Sequence, residues 1–225
     1  MEMLRRSPLT PIGRPGASWV AALIALAGCD AVFGLDREEV DCGIHVAVLD
    51  EQFEDEVEAC EPWAYRFDAD GTTVIQRNGD LQVTPRGTGA AGCVSTASYR
   101  FPRGGLIAEV KEVVSADGAY TSLSAGDDDS IQMANGELLY EASNASKMYS
   151  RIPYEPAKMR WWKLHDEQGV VTASYSATGL SDWVVFGQRS VPGTRNVQVA
   201  VLAGLFLPMP DATGAARYAR LLVCD

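Results

Sequence analysis

Apolar and polar residues alternate along much of this chain, which is typical of β-strands with one buried face. Val197, Val199, Val201 and Ala203 fall on one face of a segment with period two, and residues 108–111 alternate in the same way. The pattern predicts further strands over Thr73–Arg77, Leu81–Pro85, Tyr120–Ser124, Gly136–Ala142, Met159–His165, Val170–Ser176, Trp183–Ser190 and Tyr218–Cys224.

Short turn-forming clusters separate these segments, among them Asn78-Gly79-Asp80 and Pro192-Gly193. A short helix is predicted only over Asp50–Cys60, where Phe53 and Val57 stand four residues apart. Many short strands with frequent turns predict an all-β fold, a two-sheet antiparallel β-sandwich.

The N-terminus has a different pattern. Arg5, Arg6 and Arg14 precede an uncharged, largely apolar stretch from Ala17 to Ala27. A membrane-spanning helix needs roughly 20 apolar residues, so this shorter stretch indicates a cleaved signal peptide. The stretch ends in Leu26-Ala27-Gly28-Cys29, which resembles the lipobox of bacterial lipoproteins.

This resemblance implies cleavage before Cys29 and attachment of lipid to the thiol of that residue. The predicted organisation is a signal peptide over 1–28, a lipidated tether over 29–41 and a sandwich domain over 42–225. Two or three acyl chains would anchor the protein stably on the extracytoplasmic side of a membrane. The sequence leaves open whether this is the inner or the outer membrane.

Removal of residues 1–28 leaves 197 of 225 residues, enough for one domain with a hydrophobic core. The whole chain carries −11, and the leader holds three arginines and one glutamate, so the mature part is near −13. This acidity excludes nucleic acid as an expected partner.

Four cysteines remain after Cys29 is assigned to lipid: Cys42, Cys60, Cys93 and Cys224. An even number in an oxidising compartment predicts two disulfides, and three pairings are possible. The cysteine spacing includes no CxxC pair and the two histidines are isolated, so we expect no structural zinc.

The order of features over most of residues 48–224 resembles the concanavalin A-like lectin and glucanase jelly roll, in the version common in myxobacterial cell-surface lipoproteins. The landmarks are Asp50–Asp55, Glu61-Pro62-Trp63, the hairpin Thr73–Val83, Gly89–Ser95, Leu106–Val114, Arg160–Leu164 with its hairpin into Val170–Ser176, and Trp183. Relatives usually have Ser-x-Asp-Gly before that last tryptophan, whereas this chain has Ser176-Ala177-Thr178-Gly179.

The resemblance also implies a cysteine pairing. The first and last strands of such a sandwich lie side by side, which favours Cys42–Cys224. Cys93 stands where relatives tend to have an aromatic residue, which favours Cys60–Cys93. The first bridge would close nearly the whole domain.

Candidate catalytic residues do not form a convincing site. Glycosidases of this fold carry two glutamates flanking an aspartate on one strand, so that the carboxylates share a face. The acidic run Glu54–Glu58 has the wrong spacing for that arrangement. A Ser-His-Asp triad would need His45 or His165 as its base, and neither has a supporting pattern. We expect a protein that is not an enzyme.

Metal binding has two weak candidates. Asp68-Ala69-Asp70-Gly71 resembles the start of a calcium loop, but the later ligands are missing, and Asp127-Asp128-Asp129 is a second acidic turn. Acidic turns without a metal are the simpler interpretation, so no cofactor or metal ligand is assigned.

A binding face is the remaining functional hypothesis. Trp161, Lys163 and His165 share one face of the predicted strand Met159–His165, and Trp162 and Leu164 share the other. The first face combines an indole with polar groups, which suits a sugar ring or a peptide. Trp63 and Trp183 are expected in the core.

Three functions follow as hypotheses. The first is a lipid-anchored cell-envelope protein that recognises carbohydrate or another envelope component without catalysis. The second is a structural or protein-interaction lipoprotein without a small ligand. The third is a degenerate glycan hydrolase.

Overall fold

The computed structural model describes Val40 and residues 42–54, 58–67, 72–101, 103–142, 147–191, 193, 195–209 and 214–225. The predicted signal peptide, Cys29 and most of the predicted tether lie outside these residues. The strands are β1 (Ala47–Glu51), β2 (Ala64–Phe67), β3 (Thr73–Arg77), β4 (Asp80–Thr84), β5 (Gly87–Ser95), β6 (Tyr99–Arg100), β7 (Gly105–Glu112), β8 (Ala119–Ala125), β9 (Asp129–Ala134), β10 (Glu137–Ala142), β11 (Lys147–Pro153), β12 (Trp161–Glu167), β13 (Val170–Ser176), β14 (Val184–Ser190), β15 (Asn196–Val197), β16 (Val199–Met209) and β17 (Ala216–Cys224).

The strands form two large antiparallel sheets. The seven-stranded sheet has the order β11-β10-β9-β8-β16-β5-β2, and the eight-stranded sheet has the order β14-β13-β12-β7-β17-β4-β3 with β1 also paired to β17. A short pair, β6 and β15, lies apart from both sheets. The two-sheet antiparallel sandwich predicted from the sequence is confirmed. Within the described residues no helix is long and apolar enough to cross a membrane.

The core lies between the inward faces of the two sheets. On β16, Val199, Val201 and Ala203 belong to the buried cluster, and on β12 Trp162 and Leu164 belong to it too. Alternate side chains of a strand point to opposite faces, so the period-two pattern of the sequence corresponds to this buried set. Burial of each large apolar side chain contributes about 1.5–3 kcal/mol.

Tyr218 connects the two sheets by hydrogen bonds across the core. This side chain lies on β17 of the eight-stranded sheet, and its hydroxyl donates to the carbonyl oxygens of Ser122 (3.0 Å) and Leu202 (2.7 Å) in the seven-stranded sheet. The ring is fully buried. Its hydroxyl therefore finds acceptors across the core, which satisfies a polar group that water cannot reach.

We expect Tyr218→Phe to lower the free energy of unfolding by about 1 kcal/mol, because it removes one buried hydroxyl and preserves the ring. Urea denaturation with intrinsic fluorescence measures this change. Tyr65→Phe is the matched control, since the Tyr65 ring is half exposed, and it should leave the free energy unchanged. An equal loss in both variants would contradict the inter-sheet role of Tyr218.

Two disulfides close the chain on itself. Cys42 bonds to Cys224 and Cys60 bonds to Cys93, with Cα–Cα distances of 5.4 and 5.5 Å. These are the two pairs that the family resemblance implied. The first follows from topology, because β1 begins five residues after Cys42 and pairs with β17, which ends at Cys224.

The helix predicted over Asp50–Cys60 is wrong for the described part of that segment. β1 continues to Glu51, Phe53 takes a left-handed backbone conformation (φ 54°), and residues 58–60 form a turn. Phe53 is fully buried and packs against the Trp63 ring. Tertiary burial of Phe53 therefore overrides the helical spacing.

A buried ionic cluster connects the two sheets at one end. Asp129 begins β9 and accepts hydrogen bonds from Tyr140 (2.8 Å), Arg189 of β14 (2.5 and 2.6 Å) and Arg195 (2.6 Å). Arg195 also bonds to Asp128 at 2.5 Å. The cluster fixes the turn between β8 and β9, which borders the groove described below.

Candidate functional site

The three residues singled out from the sequence share the outward face of the eight-stranded sheet, as expected, but this face is not open at Trp161. The Trp161 ring is only 7% exposed and packs in a small cluster with Val40, Ile107, Leu222 and Cys224. The expectation that Trp161 faces water and could stack on a ligand is therefore corrected: residues distant in sequence cover the ring.

The cover over Trp161 is a turn held by a carboxylate. Asp182 accepts hydrogen bonds from the hydroxyls of Ser176 and Thr178 and from the N–H of Ala177 (2.9 Å). These bonds outweigh the effect of burial and lower the pKa of Asp182 to about 2. The resulting turn brings Gly179 so close to the Trp161 ring that a β-carbon would lie 2.7 Å from it.

Lys163 and His165 are half-buried beside this cluster. The Lys163 Nζ lies 5.5 Å from the centre of the Trp183 ring, and the lysine stem crosses Gly105. Burial lowers the pKa of Lys163, and burial together with the Lys163 charge lowers the pKa of His165. Trp183 packs on the small cluster rather than in the main core, which corrects the expectation for that residue, whereas Trp63 lies in the main core.

The open face of the sandwich is the outward face of the seven-stranded sheet. It carries a groove of about 680 Å³ whose lining spans strands β2, β5, β16, β8, β9 and β10. Cross-strand register aligns the lining in rows. One row places Tyr65, Val94, Ala200, Ser124, Ser130 and Glu141 opposite one another on successive strands. With about 4.8 Å between strands, this row is about 24 Å long.

Aromatic rings form the walls of the groove. The Tyr120 and Phe206 rings stack with 4.7 Å between their centres, and Phe67 and Tyr65 line the same groove. Gly204 permits this arrangement, since a β-carbon there would lie 2.6 Å from the Tyr120 ring. Phe206 is 56% exposed, so the stack presents an aromatic surface to solvent.

Small polar side chains form the floor. The hydroxyls of Ser122 and Ser124 share a hydrogen bond of 3.1 Å, and Ser130 and Gln132 follow on the next strand. Gln132 is only 7% exposed, and its side chain lines the groove. The floor therefore offers donors and acceptors that a polar ligand could satisfy.

One end of the groove is acidic. Asp127 and Asp128 lie in the β8–β9 turn, and Glu141 lies on β10 opposite Ser130. Arg195 neutralises Asp128. Burial raises the pKa of Glu141.

Asp127, Asp128 and Asp129, one of the two acidic runs considered for metal binding, do not form such a site in the described part of the chain. Among the described residues, no group of three or more His, Cys, Asp and Glu side chains is placed to hold a metal ion. Asp128 and Asp129 are occupied by arginines. Residues 68–71 lie outside the described residues, as do residues 55–57 of the acidic run.

Sequence reasoning missed the groove. Its available signal was the alternation Tyr120, Ser122, Ser124, which places polar groups opposite Leu123, but every solvated sheet face shows such alternation. The second aromatic, Phe206, lies 86 residues later in the chain and meets Tyr120 only because Gly204 pairs with Tyr120.

No protein-family model matches the chain, and no curated protein sequence matches it. Solved structures do match. A LamA variant from Z. galactanivorans in complex with laminaritriose and laminaritetraose aligns with a TM-score of 0.55 at 9% identity, over 80% of this chain and 99% of that one.

Two further structures show the range of the likeness. The kappa-carrageenase from Pseudoalteromonas carrageenovora, with an oligotetrasaccharide of kappa-carrageenan, has a TM-score of 0.53 at 13% identity over 81% and 97% of the two chains. The exoplasmic/lumenal domain of VIP36, with Ca²⁺ and Man3GlcNAc, has a TM-score of 0.50 at 10% identity over 72% and 83%. The likeness shows the fold alone: this chain is an all-β, two-sheet antiparallel sandwich with the concanavalin A-like jelly-roll fold.

Proposed function

We propose that the protein is a cell-envelope protein, anchored by lipid on Cys29, whose sandwich recognises carbohydrate without altering it. The observation that carries this proposal is the groove on the seven-stranded sheet, with aromatic walls and a polar floor. Sugar rings have apolar C–H faces and many hydroxyls, so they suit a site that offers both kinds of contact. The structures of similar fold that hold oligosaccharides support this choice of ligand.

The disulfides support the proposed location. Both bridges are formed between residues of the sandwich, and such bonds persist in oxidising compartments outside the cytosol. Acylation at Cys29 would hold the sandwich at a membrane surface.

The acidic groups of the groove favour binding over hydrolysis. Retaining and inverting glycosidases place two carboxyl groups about 5–5.5 Å or 6.5–9.5 Å apart across the scissile bond. In the described groove only Glu141 stands on a strand of the floor, whereas Asp127 and Asp128 lie in a turn and Asp128 pairs with Arg195. A degenerate glycan hydrolase is the weaker alternative, and turnover of a glycan by the purified protein would support it.

A protein-interaction role is the second candidate, and a specific surface favours it. Val184 and Val185 of β14 and Met148 of β11 are about half exposed, on the edge strands of the two sheets. Exposed apolar side chains beside unpaired strand edges are common in interfaces between proteins.

We expect Phe206→Ala to weaken glycan binding at least about tenfold, because it removes half of the aromatic stack while most of its ring is outside the core; tenfold corresponds to about 1.4 kcal/mol. A glycan array followed by isothermal titration measures the loss. Val184→Ala is the matched control, since it truncates an exposed apolar residue outside the groove. Undiminished glycan binding by Phe206→Ala, or a loss of binding in the control alone, would contradict the proposal that the groove binds glycans. Either result would favour the protein-interaction surface.

A further inference from the structure

The groove has a charge bias that goes beyond a general affinity for sugars. Its ionisable carboxylates are Asp127, Asp128 and Glu141, and the described lining includes no lysine, arginine or histidine. Arg195 bonds to Asp128 and Asp129 and is engaged there. The chain as a whole carries −11. The field at the groove therefore opposes anions and attracts cations.

Glu141 is the carboxylate best placed to act on a ligand. It stands on β10 at the end of the row that contains Ser124 and Ser130, so its neighbours on the floor are hydroxyls. The structure gives it no ion pair among the described residues, although it is half-buried and burial raises its pKa. A partly desolvated carboxylate without a cation is stabilised by a cationic ligand group.

Gln132 is the polar neighbour of Glu141 on the groove floor. Its side chain is more than nine-tenths buried and lines the groove. In the register, Gln132 lies opposite Leu139, two residues before Glu141, so the amide and the carboxylate are diagonal neighbours on the same face. Together they could receive one sugar residue, the amide at a hydroxyl and the carboxylate at a positive group.

We propose that this groove selects glycans that carry free amines, with Glu141 as the residue that determines the selectivity. This inference rests on the proposed function and names its ligand class. Glycans with hydroxyls in place of the amines bind more weakly because they leave the Glu141 carboxylate without a counter-charge. Sulphated or uronate-containing glycans are excluded, because the acidic lining repels them.

The test compares β-1,3- and β-1,4-linked glucose oligomers with their glucosamine counterparts and their sulphated counterparts, by isothermal titration at low salt and mildly acidic pH. We expect the glucosamine oligomers to bind about tenfold more tightly than the neutral ones, and the sulphated oligomers not to bind. Added salt should reduce the advantage of the amine.

Two variants separate this inference from the proposed function. Glu141→Gln should remove the tenfold advantage of the amine, so that the variant binds glucosamine and neutral oligomers with equal affinity. Glu137→Gln is the control with the same change in charge, since Glu137 lies on the same strand outside the groove and pairs with Arg151. If the wild type binds neutral and glucosamine oligomers equally, or Glu141→Gln has no effect, the selectivity is overturned and carbohydrate binding stands. If no oligomer or array glycan binds, the proposed function itself is overturned.

Discussion

Replacing Asp129 with asparagine should lower the free energy of unfolding by about 3–5 kcal/mol, the usual cost of removing one partner from a buried ion pair. The Asp129 side chain is fully buried and is the common acceptor for Arg189, Arg195 and Tyr140. Asparagine keeps the shape but leaves the Arg189 guanidinium without a carboxylate and leaves Arg195 paired with Asp128 alone. Because Arg189 comes from the eight-stranded sheet and Asp129 from the seven-stranded sheet, the loss also loosens the contact between sheets.

Urea denaturation at neutral pH measures this effect. Asp117→Asn is the control, since it makes the same chemical change at an exposed turn residue and should shift the free energy by less than about 0.5 kcal/mol. A cost below about 1 kcal/mol for Asp129→Asn would show that the cluster contributes little to stability.

The stabilisation by Asp129 should depend on pH. Burial alone would raise the pKa of Asp129, but hydrogen bonds from Arg189, Arg195 and Tyr140 hold it below the usual value. A carboxyl whose folded pKa lies below its unfolded pKa, about 3.9, stabilises the fold fully above that pH. Its contribution disappears as the pH falls through the folded pKa. The gap between wild type and Asp129→Asn should therefore narrow on acidification, and a constant gap would contradict this explanation.

Removal of the Cys42–Cys224 bridge by a double alanine substitution should cost about 5 kcal/mol, since a long loop in the unfolded chain regains its freedom. The bridged residues are 182 apart in sequence. Non-reducing urea denaturation of the variant measures the cost. The domain should still fold, because β1 and β17 remain paired.

The second bridge provides the comparison. Cys60 and Cys93 are 33 residues apart, so the same chain-entropy relation gives about 4 kcal/mol for the Cys60→Ala, Cys93→Ala variant. The expected difference of about 1–1.5 kcal/mol depends only on the ratio of loop lengths. Equal losses, or a larger loss for the short loop, would show that entropy of the unfolded chain is not the main source of stability.

Strands with clear alternation could be predicted from the sequence, and others could not. The strand over Val170–Ser176 has the predicted bounds. In contrast, β5 is rich in glycine and alanine, and all six residues of β9 are buried despite Asp129, Ser130 and Gln132. Contacts with distant parts of the chain stabilise both strands. β5 is held by pairing with β2 and β16, and the buried Asp129 of β9 is neutralised by Arg189 and Arg195.

The candidate site was harder to predict because faces are set by the whole fold. Alternation on β12 predicts that Trp161 and Trp162 lie on opposite faces of the sheet. It cannot show that Val40 and the turn held by Asp182 cover the Trp161 ring. The groove could not be predicted for a different reason. In the sequence its floor residues have the pattern of any solvent-exposed sheet face, and only the register of six strands places residues from Tyr65 to Glu141 in one row.

Val40 packs against Trp161 on the outward face of the eight-stranded sheet, which is the side away from the groove. With lipid on Cys29, residues 30–39 allow a stand-off of at most roughly 40 Å from the bilayer. Val40, the first described residue, is fixed on the face opposite the groove and is absent from the groove lining, so the chain enters the sandwich without crossing the groove.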